Sequence, residues 1–142
     1  MHIQSLGHAV IKVRNLKRSE QFYHGVLGMP IINRTERMTF FSFGNHHDFA
    51  IAEVGEAAPQ PEHNAVGLAH LAFCLGRDVE DLRAAKAQLD TYGIDTRPIE
   101  HGKTYSLYLA DPDGNGIELY VDRYDDWRDS PVQEPMSAPL AM

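Results

Sequence analysis

Four polar positions in this chain lie where chemistry is to be looked for: His8, His70, Tyr108 and Glu118. Each falls in a segment of alternating apolar residues, on the side opposite the aliphatic ones. Beside His8 the aliphatic side is Ala9, Ile11 and Val13, and beside His70 it is Leu71, Phe73 and Leu75. Leu107 and Leu109 flank Tyr108, while Ile117, Leu119 and Val121 alternate with Glu118. Side chains alternate across a strand, so helices would cover the aliphatic side. The four polar groups would then share the concave face of one sheet. An unpaired charge buried there is costly. Two imidazoles and a carboxylate have a common partner in a divalent metal, and that set with open positions suits non-haem Fe(II) chemistry. The alternative at each position is a side chain satisfied by its protein neighbours, as a lone strand histidine most often is.

The elements that must position these groups are written twice. Alternation over 3–13 predicts a strand, and apolar spacing over 16–27 predicts a helix that Ser19 could cap and Gly28 ends. Three short strands follow near 30–36, 38–44 and 47–54, with Asn45 marking the last turn. After a polar, proline-containing connection, the order restarts. A strand over 66–75 precedes a helix over 78–92, capped by Asp78 and stopped by Gly93, and strands follow near 95–100, 105–110 and 116–121. The division is therefore a first βαβββ module over 1–57, a linker over 58–65, a second module over 66–124 and a tail over 125–142. The tail, rich in proline, is expected to lie on the surface or reach a neighbour.

Composition narrows the function. Thirteen Lys and Arg against twenty Asp and Glu leave a net charge of −7, which disfavours a nucleic-acid partner. The single cysteine, Cys74, excludes an internal disulfide and suits a reducing compartment. No apolar run approaches the roughly 20 residues that span a bilayer. The N-terminal MHIQSLGHAV lacks the basic and apolar regions of a signal peptide. These features point to a cytoplasmic protein acting on a small molecule or a protein partner.

The stretch IEHGKTYSLYLADPDGNGIE, residues 99–118, resembles the signature of type I extradiol ring-cleavage dioxygenases in the vicinal oxygen chelate (glyoxalase/bleomycin resistance/dioxygenase) superfamily. His101, Leu107, Tyr108, Asp111, Pro112, Gly114 and Glu118 fall in register with it, and Asn45-His46-His47-Asp48 resembles the segment carrying that family's catalytic histidine. The resemblance covers about residues 3–122. It implies an α+β fold, with two βαβββ modules forming a curved, mostly antiparallel cup. It also implies that His8, His70 and Glu118 are Fe(II) ligands, a set that Mn(II) suits as well. His47 would be the acid/base near the oxygen site, and His101 and Tyr108 would hydrogen-bond the substrate. The implied reactants are a catechol-type aromatic diol and O2, and the product is a ring-opened semialdehyde. A homodimer or higher homo-oligomer is implied, the site being built within one chain or across two. Most members carry a further N-terminal pair of modules; this chain matches the catalytic pair alone.

Three related readings compete. Fosfomycin-resistance thiol transferases use the same ligand types, but they place threonine where this chain has Val10. A glyoxalase-like isomerase needs a fourth ligand where Phe49, Ala50 and Ile51 stand, with Glu53 nearby. A drug-binding resistance protein would use the cup without metal. Tyr23 and His24 are read as structural or exposed, and His2 and His63 as solvent-facing. Trp127 and Arg128 are candidates for covering the site or a dimer contact.

Overall fold

The chain folds as two units, Met1–Asn64 and Ala65–Met142. The computed structural model describes all residues except 61, 63 and 133–135. His63, expected to face solvent, lies outside the described residues, as do parts of the expected linker and tail.

The first unit runs β1 (Ala9–Val13), α1 (Leu16–Glu20) continuing as a wider π turn (Gln21–Val26), β2 (Ile31–Arg34), β3 (Met38–Phe41) and β4 (Phe49–Glu53). Its sheet has the order β1-β4-β3-β2. β1 runs parallel to β4, and the remaining pairs are antiparallel. Ile11 and Val13 alternate inward along β1 as the pattern predicts, joining buried Tyr23, Phe41, Phe49 and Ile51. The Tyr23 and Phe49 rings meet at 5.0 Å, and Phe41 stacks on Phe49 at 5.5 Å. His24 is exposed and lies 2.8 Å through Nδ1 from the Met29 carbonyl, a structural contact.

Two expectations need correction here. Ser19 does not cap the helix. Asn15 does, its side chain accepting from the Arg18 amide at 2.9 Å, while Ser19 lies one turn further in and is buried. Asparagine before the first helical residue offers the free donors an oxygen at the right distance. Nor does the first strand span 3–13. Its ladder begins at the pair Ala9↔Phe49, because β4 offers no residue beyond Phe49 to pair with the segment before Ala9.

The second unit runs β5 (Leu71–Gly76), α2 (Val79–Thr91), β6 (Arg97–Glu100), β7 (Thr104–Ala110), β8 (Gly116–Asp122) and β9 (Ala138–Pro139), with a short 3-10 turn at Trp127–Asp129. The order is β5-β8-β7-β6-β9, with β5 and β8 parallel. Asp78 caps α2 as expected, accepting from the Glu80 amide at 2.9 Å. Leu82 and Leu89 are buried, and α2 packs on β5, β7 and β8. Leu107, Leu109, Ile117, Leu119 and Val121 are buried as the alternation required. The strand expected over 66–75 begins only at Leu71, where its ladder to β8 starts with Leu71↔Ile117. His8 and His70 therefore each stand one residue before their strand rather than within it.

The tail is more structured than its prolines suggested. Ile99↔Pro139 and Glu100↔Ala138 pair, so β9 adds a fifth strand at the β6 edge. Pro139 tolerates this because an edge strand need not donate every amide. The chain is α+β, with small mixed sheets of four and five strands and few helices. Among the described residues no helix is long and apolar enough to cross a membrane.

Candidate active site

Antiparallel pairing sets the second unit's polar face. Tyr108 on β7 is directly opposite Glu118 on β8, so both side chains leave the sheet on one face. Ser106 lies two residues back along β7, on the same face. Its hydroxyl donates to Glu118 Oε1 at 2.6 Å, and His70 Nε2 lies 3.0 Å from Glu118 Oε2. Glu118 is buried and Ser106 fully so. Among the described residues, the only ion-pair partner of this carboxylate is His70.

What holds His70 there is a close approach of backbones. A Cβ on Gly116 would lie 2.5 Å from the Ala69 carbonyl oxygen and 3.1 Å from His70 Cβ. Only glycine lets β8 begin against the residues that carry His70. The turn before it is fixed by Asp111. Its Oδ1 accepts from the Asp113 amide at 2.9 Å and the Asn115 amide at 2.8 Å, and its Oδ2 from Asn115 Nδ2 at 2.8 Å. The Asp-Pro-Asp-Gly-Asn-Gly run thus delivers Glu118 to His70.

The same face carries a hydrogen-bonded histidine–tyrosine pair. His101 Nε2 lies 2.8 Å from Tyr108 Oη, and His101 Nδ1 lies 2.7 Å from the Met136 carbonyl oxygen. The His70 ring meets the Tyr108 ring edge-on at 5.3 Å, and the Arg97 guanidinium lies 5.4 Å from the Tyr108 centroid. Burial pushes the Tyr108 pKa above its ordinary value. The Glu118 charge and hydrogen bonding to that carboxylate add to the rise, against Arg97. Tyr108 is thus held as a neutral phenol. Its single O–H serves His101 when that ring is neutral, because the Met136 carbonyl already claims the Nδ1 hydrogen. A cationic His101 would donate at both nitrogens and release the phenol hydrogen toward Glu118.

In the first unit, His8 meets His47 with ring centroids 4.2 Å apart, and His46 meets His47 at 4.5 Å. Phe40 closes edge-on against His47 at 5.4 Å. Partial burial, then the neighbouring His8 and His46, push the His47 pKa below its ordinary value, against Asp48. The lowering favours the neutral form of the His47 ring. Glu53, weighed as a further ligand, is engaged elsewhere: its carboxylate accepts from the Leu16 amide at 2.8 Å and so holds the start of α1.

The expected site residues thus gather as His70 with Glu118, His101 with Tyr108, and His8 with His47. Sequence reasoning missed Ser106 and Arg97. Ser106 was within reach of it, since residue 106 shares strand parity with Tyr108. It also missed His46 as a member of the histidine group.

Known proteins share this arrangement of elements. The profile of the Glyoxalase/Bleomycin resistance protein/Dioxygenase superfamily matches residues 5–119. A catechol-2,3-dioxygenase of Bacillus subtilis is 38% identical over 119 residues, covering 83% of this chain and 41% of that protein. A biphenyl-2,3-diol 1,2-dioxygenase of Rhodococcus globerulus is 37% identical over 122 residues, covering 84% of this chain and 64% of that protein. The chain thus spans less than two thirds of the length of either. A lactoylglutathione lyase of Neisseria meningitidis is 28% identical over 121 residues, covering 79% of this chain and 86% of that protein. The solved structure of a glyoxylase/bleomycin resistance protein/dioxygenase domain from Frankia superposes with a TM-score of 0.70 at 20% identity, covering 86% of this chain and 100% of that one. Sequence profile and fold agree, and the chain belongs to the glyoxalase/bleomycin resistance protein/dioxygenase superfamily.

Proposed function

We propose that this protein is an Fe(II)-dependent extradiol dioxygenase that opens a catechol-type ring with O2 to a semialdehyde. The observation that carries the proposal is the hydrogen-bonded His101–Tyr108 pair on the sheet face that also presents His70 and Glu118. The two dioxygenase relatives support it.

The proposed ligands are His8, His70 and Glu118. Their donor set fits a divalent iron. Imidazole nitrogen and carboxylate oxygen already converge at 3.0 Å, and the nearly buried carboxylate has no fixed cation among the described residues. Fe(II), when bound, supplies adjacent positions for the two diol oxygens and O2, and with them a route around the spin barrier to oxidation.

The chain's own groups handle the protons. Tyr108 Oη accepts the proton of a substrate hydroxyl while its own hydrogen passes to His101 Nε2, and the Met136 carbonyl keeps the resulting imidazolium oriented. Serine donation to Oε1 leaves Glu118 Oε2 as the coordinating oxygen. His47, held neutral near physiological pH, would take the proton of the other diol hydroxyl and return it to an oxygen of the product as the ring opens. The proposed setting is cytoplasmic and the proposed assembly a homo-oligomer.

A metal-dependent isomerase of glutathione adducts is the second candidate, favoured by the likeness to the lactoylglutathione lyase. The engagement of Glu53 with Leu16 weighs against it.

The test is oxygen uptake with catechol and with 2,3-dihydroxybiphenyl after anaerobic loading with Fe(II). Uptake with a yellow product is the expected result. Bound iron without uptake would overturn the dioxygenase and favour the isomerase, which a glutathione-hemithioacetal assay would then detect.

A further inference from the structure

The histidine group of the first unit exceeds what ring cleavage needs. One nitrogen from each of His8, His46 and His47 lies within 4.8 Å of the others. The loop that presents two of them is braced on every side. Asp48 Oδ2 accepts from the Phe43 amide at 2.6 Å and the Asn45 amide at 3.4 Å. Ser42 Oγ donates to the Asn45 carbonyl at 2.6 Å and accepts from the Gly44 amide at 3.0 Å. Asn45 Nδ2 donates to the Gly7 carbonyl at 3.3 Å, which ties the loop to the residue before His8.

Asn45 also selects a tautomer. With its amide nitrogen committed to Gly7, its Oδ1 faces His46, accepting from the backbone amide at 2.8 Å and from Nδ1–H at 3.0 Å. Nε2 of His46 is then the nitrogen with the free lone pair. A metal-binding histidine is usually fixed in this way through its other nitrogen.

We propose that His8, His46 and His47 form a second metal site, a three-imidazole site for a borderline divalent cation of the zinc or copper class, and that filling it inhibits the enzyme. Three neutral imidazoles without a carboxylate suit such cations better than hard ones, and they leave a coordination position open. The inhibition, though not the site, rests on the iron function proposed above. A zinc ion held here takes His8 away from iron and His47 away from proton transfer. The two sites share His8 and cannot both be filled.

The site is tested with Zn2+ alone, on full-length chain carrying Glu118→Gln so that the iron centre lacks its carboxylate. Competition with a chromophoric chelator is expected to give one zinc per chain. Adding His46→Ala is expected to weaken binding at least tenfold. Equal zinc affinity with and without His46 overturns the site. His46 is exposed, so the substitution should leave folding intact, and circular dichroism checks that directly. The inhibition is read separately in iron-loaded chain. His46→Ala, compared with its own zinc-free rate, is expected to need at least tenfold more zinc for half-inhibition. Unchanged zinc sensitivity overturns the inhibitory role. If iron-loaded wild type shows no oxygen uptake, the dioxygenase fails, while the Glu118→Gln titrations still decide the site.

Discussion

His101 is anchored to Met136: its Nδ1 lies 2.7 Å from that residue's carbonyl oxygen, 35 positions along the chain. A carbonyl can only accept, so the neutral ring carries its hydrogen on Nδ1 and offers a lone pair at Nε2. The tail therefore decides which way the Tyr108 hydroxyl points. Two-bond nitrogen–proton NMR of the histidine rings above neutral pH is expected to show His101 as the Nδ1–H tautomer. Gly102 is the lever for moving it. It has φ +76, and a Cβ there would lie 2.7 Å from Val132 Cγ1 and 3.1 Å from Met136 Sδ. Gly102→Ala should shift the tail, mix the tautomers and cost about 1 kcal/mol or more. A single, unchanged tautomer in that variant would separate the tail from the ring.

Gly116→Ala tests how His70 is held. The added methyl has backbone at 2.5 Å, which cannot step aside as a flexible side chain would. The expected loss is about 1–3 kcal/mol of stability, as for overpacking elsewhere, together with weaker metal retention. Gly67→Ala is the control, since no atom lies within 4 Å of its Cβ position. Urea melts and metal analysis of both variants check the prediction, and equal behaviour would refute it.

Much of the core and of the second unit's polar face is legible in the amino-acid sequence. Alternation in Ile11 and Val13, in Leu107 and Leu109, and in Ile117, Leu119 and Val121 reports burial directly, because each strand turns one face to the core. The faces of Tyr108 and Glu118 follow from the same parity. Strand starts are not legible, because a ladder ends where its partner ends. Phe49 and Ile117 set those limits for β1 and β5, and neither is near in sequence. Nor does local pattern reveal β9, whose two residues are strand only through β6. His46 escapes such a reading because a histidine's role depends here on Asn45 and Gly7 rather than on its own position.

Acid should weaken the first unit through Glu20. Burial alone would raise its pKa, but hydrogen bonds from Arg34 and Thr39 and the Arg34 charge outweigh that and lower it below the ordinary 4.5. A lowered carboxylate contributes stability that is present above 4.5 and lost as pH falls through the folded-state value. Arg34 is largely exposed, so the ion pair itself adds little. Glu20→Gln is expected to flatten the fall in stability below about pH 4.5, measured by urea melts from about pH 6 to 3. An unchanged slope would assign the acid sensitivity to another carboxylate.

Tyr108 should ionise above the ordinary tyrosine range, for the reasons of burial and of the Glu118 charge. The difference between wild-type and Tyr108→Phe absorbance titrations in the near ultraviolet isolates its contribution. The midpoint is expected above 10.0, and Glu118→Gln should bring it down. A midpoint at or below the ordinary value would mean that the phenol is not held neutral by that carboxylate.

Ser106 is the least visible part of the site and the most testable. It is fully buried, and its hydroxyl is given to Glu118 Oε1 at 2.6 Å. Ser106→Ala leaves a buried carboxylate oxygen short of a donor, which costs about 1–3 kcal/mol. The small cavity adds little, since only one oxygen is removed. Glu118→Gln keeps the shape and an acceptor but removes the charge, so a double-mutant cycle measures the charge-dependent part of the pair. Metal-free chain should show a coupling between the two substitutions of about 1 kcal/mol or more in urea melts. Ser106→Ala alone should also weaken metal retention, because a carboxylate freed at Oε1 can turn and no longer presents Oε2 in a fixed direction. Additive effects in the cycle would reduce Ser106 to packing, and the fixed direction of Glu118 would then have to come from His70 alone.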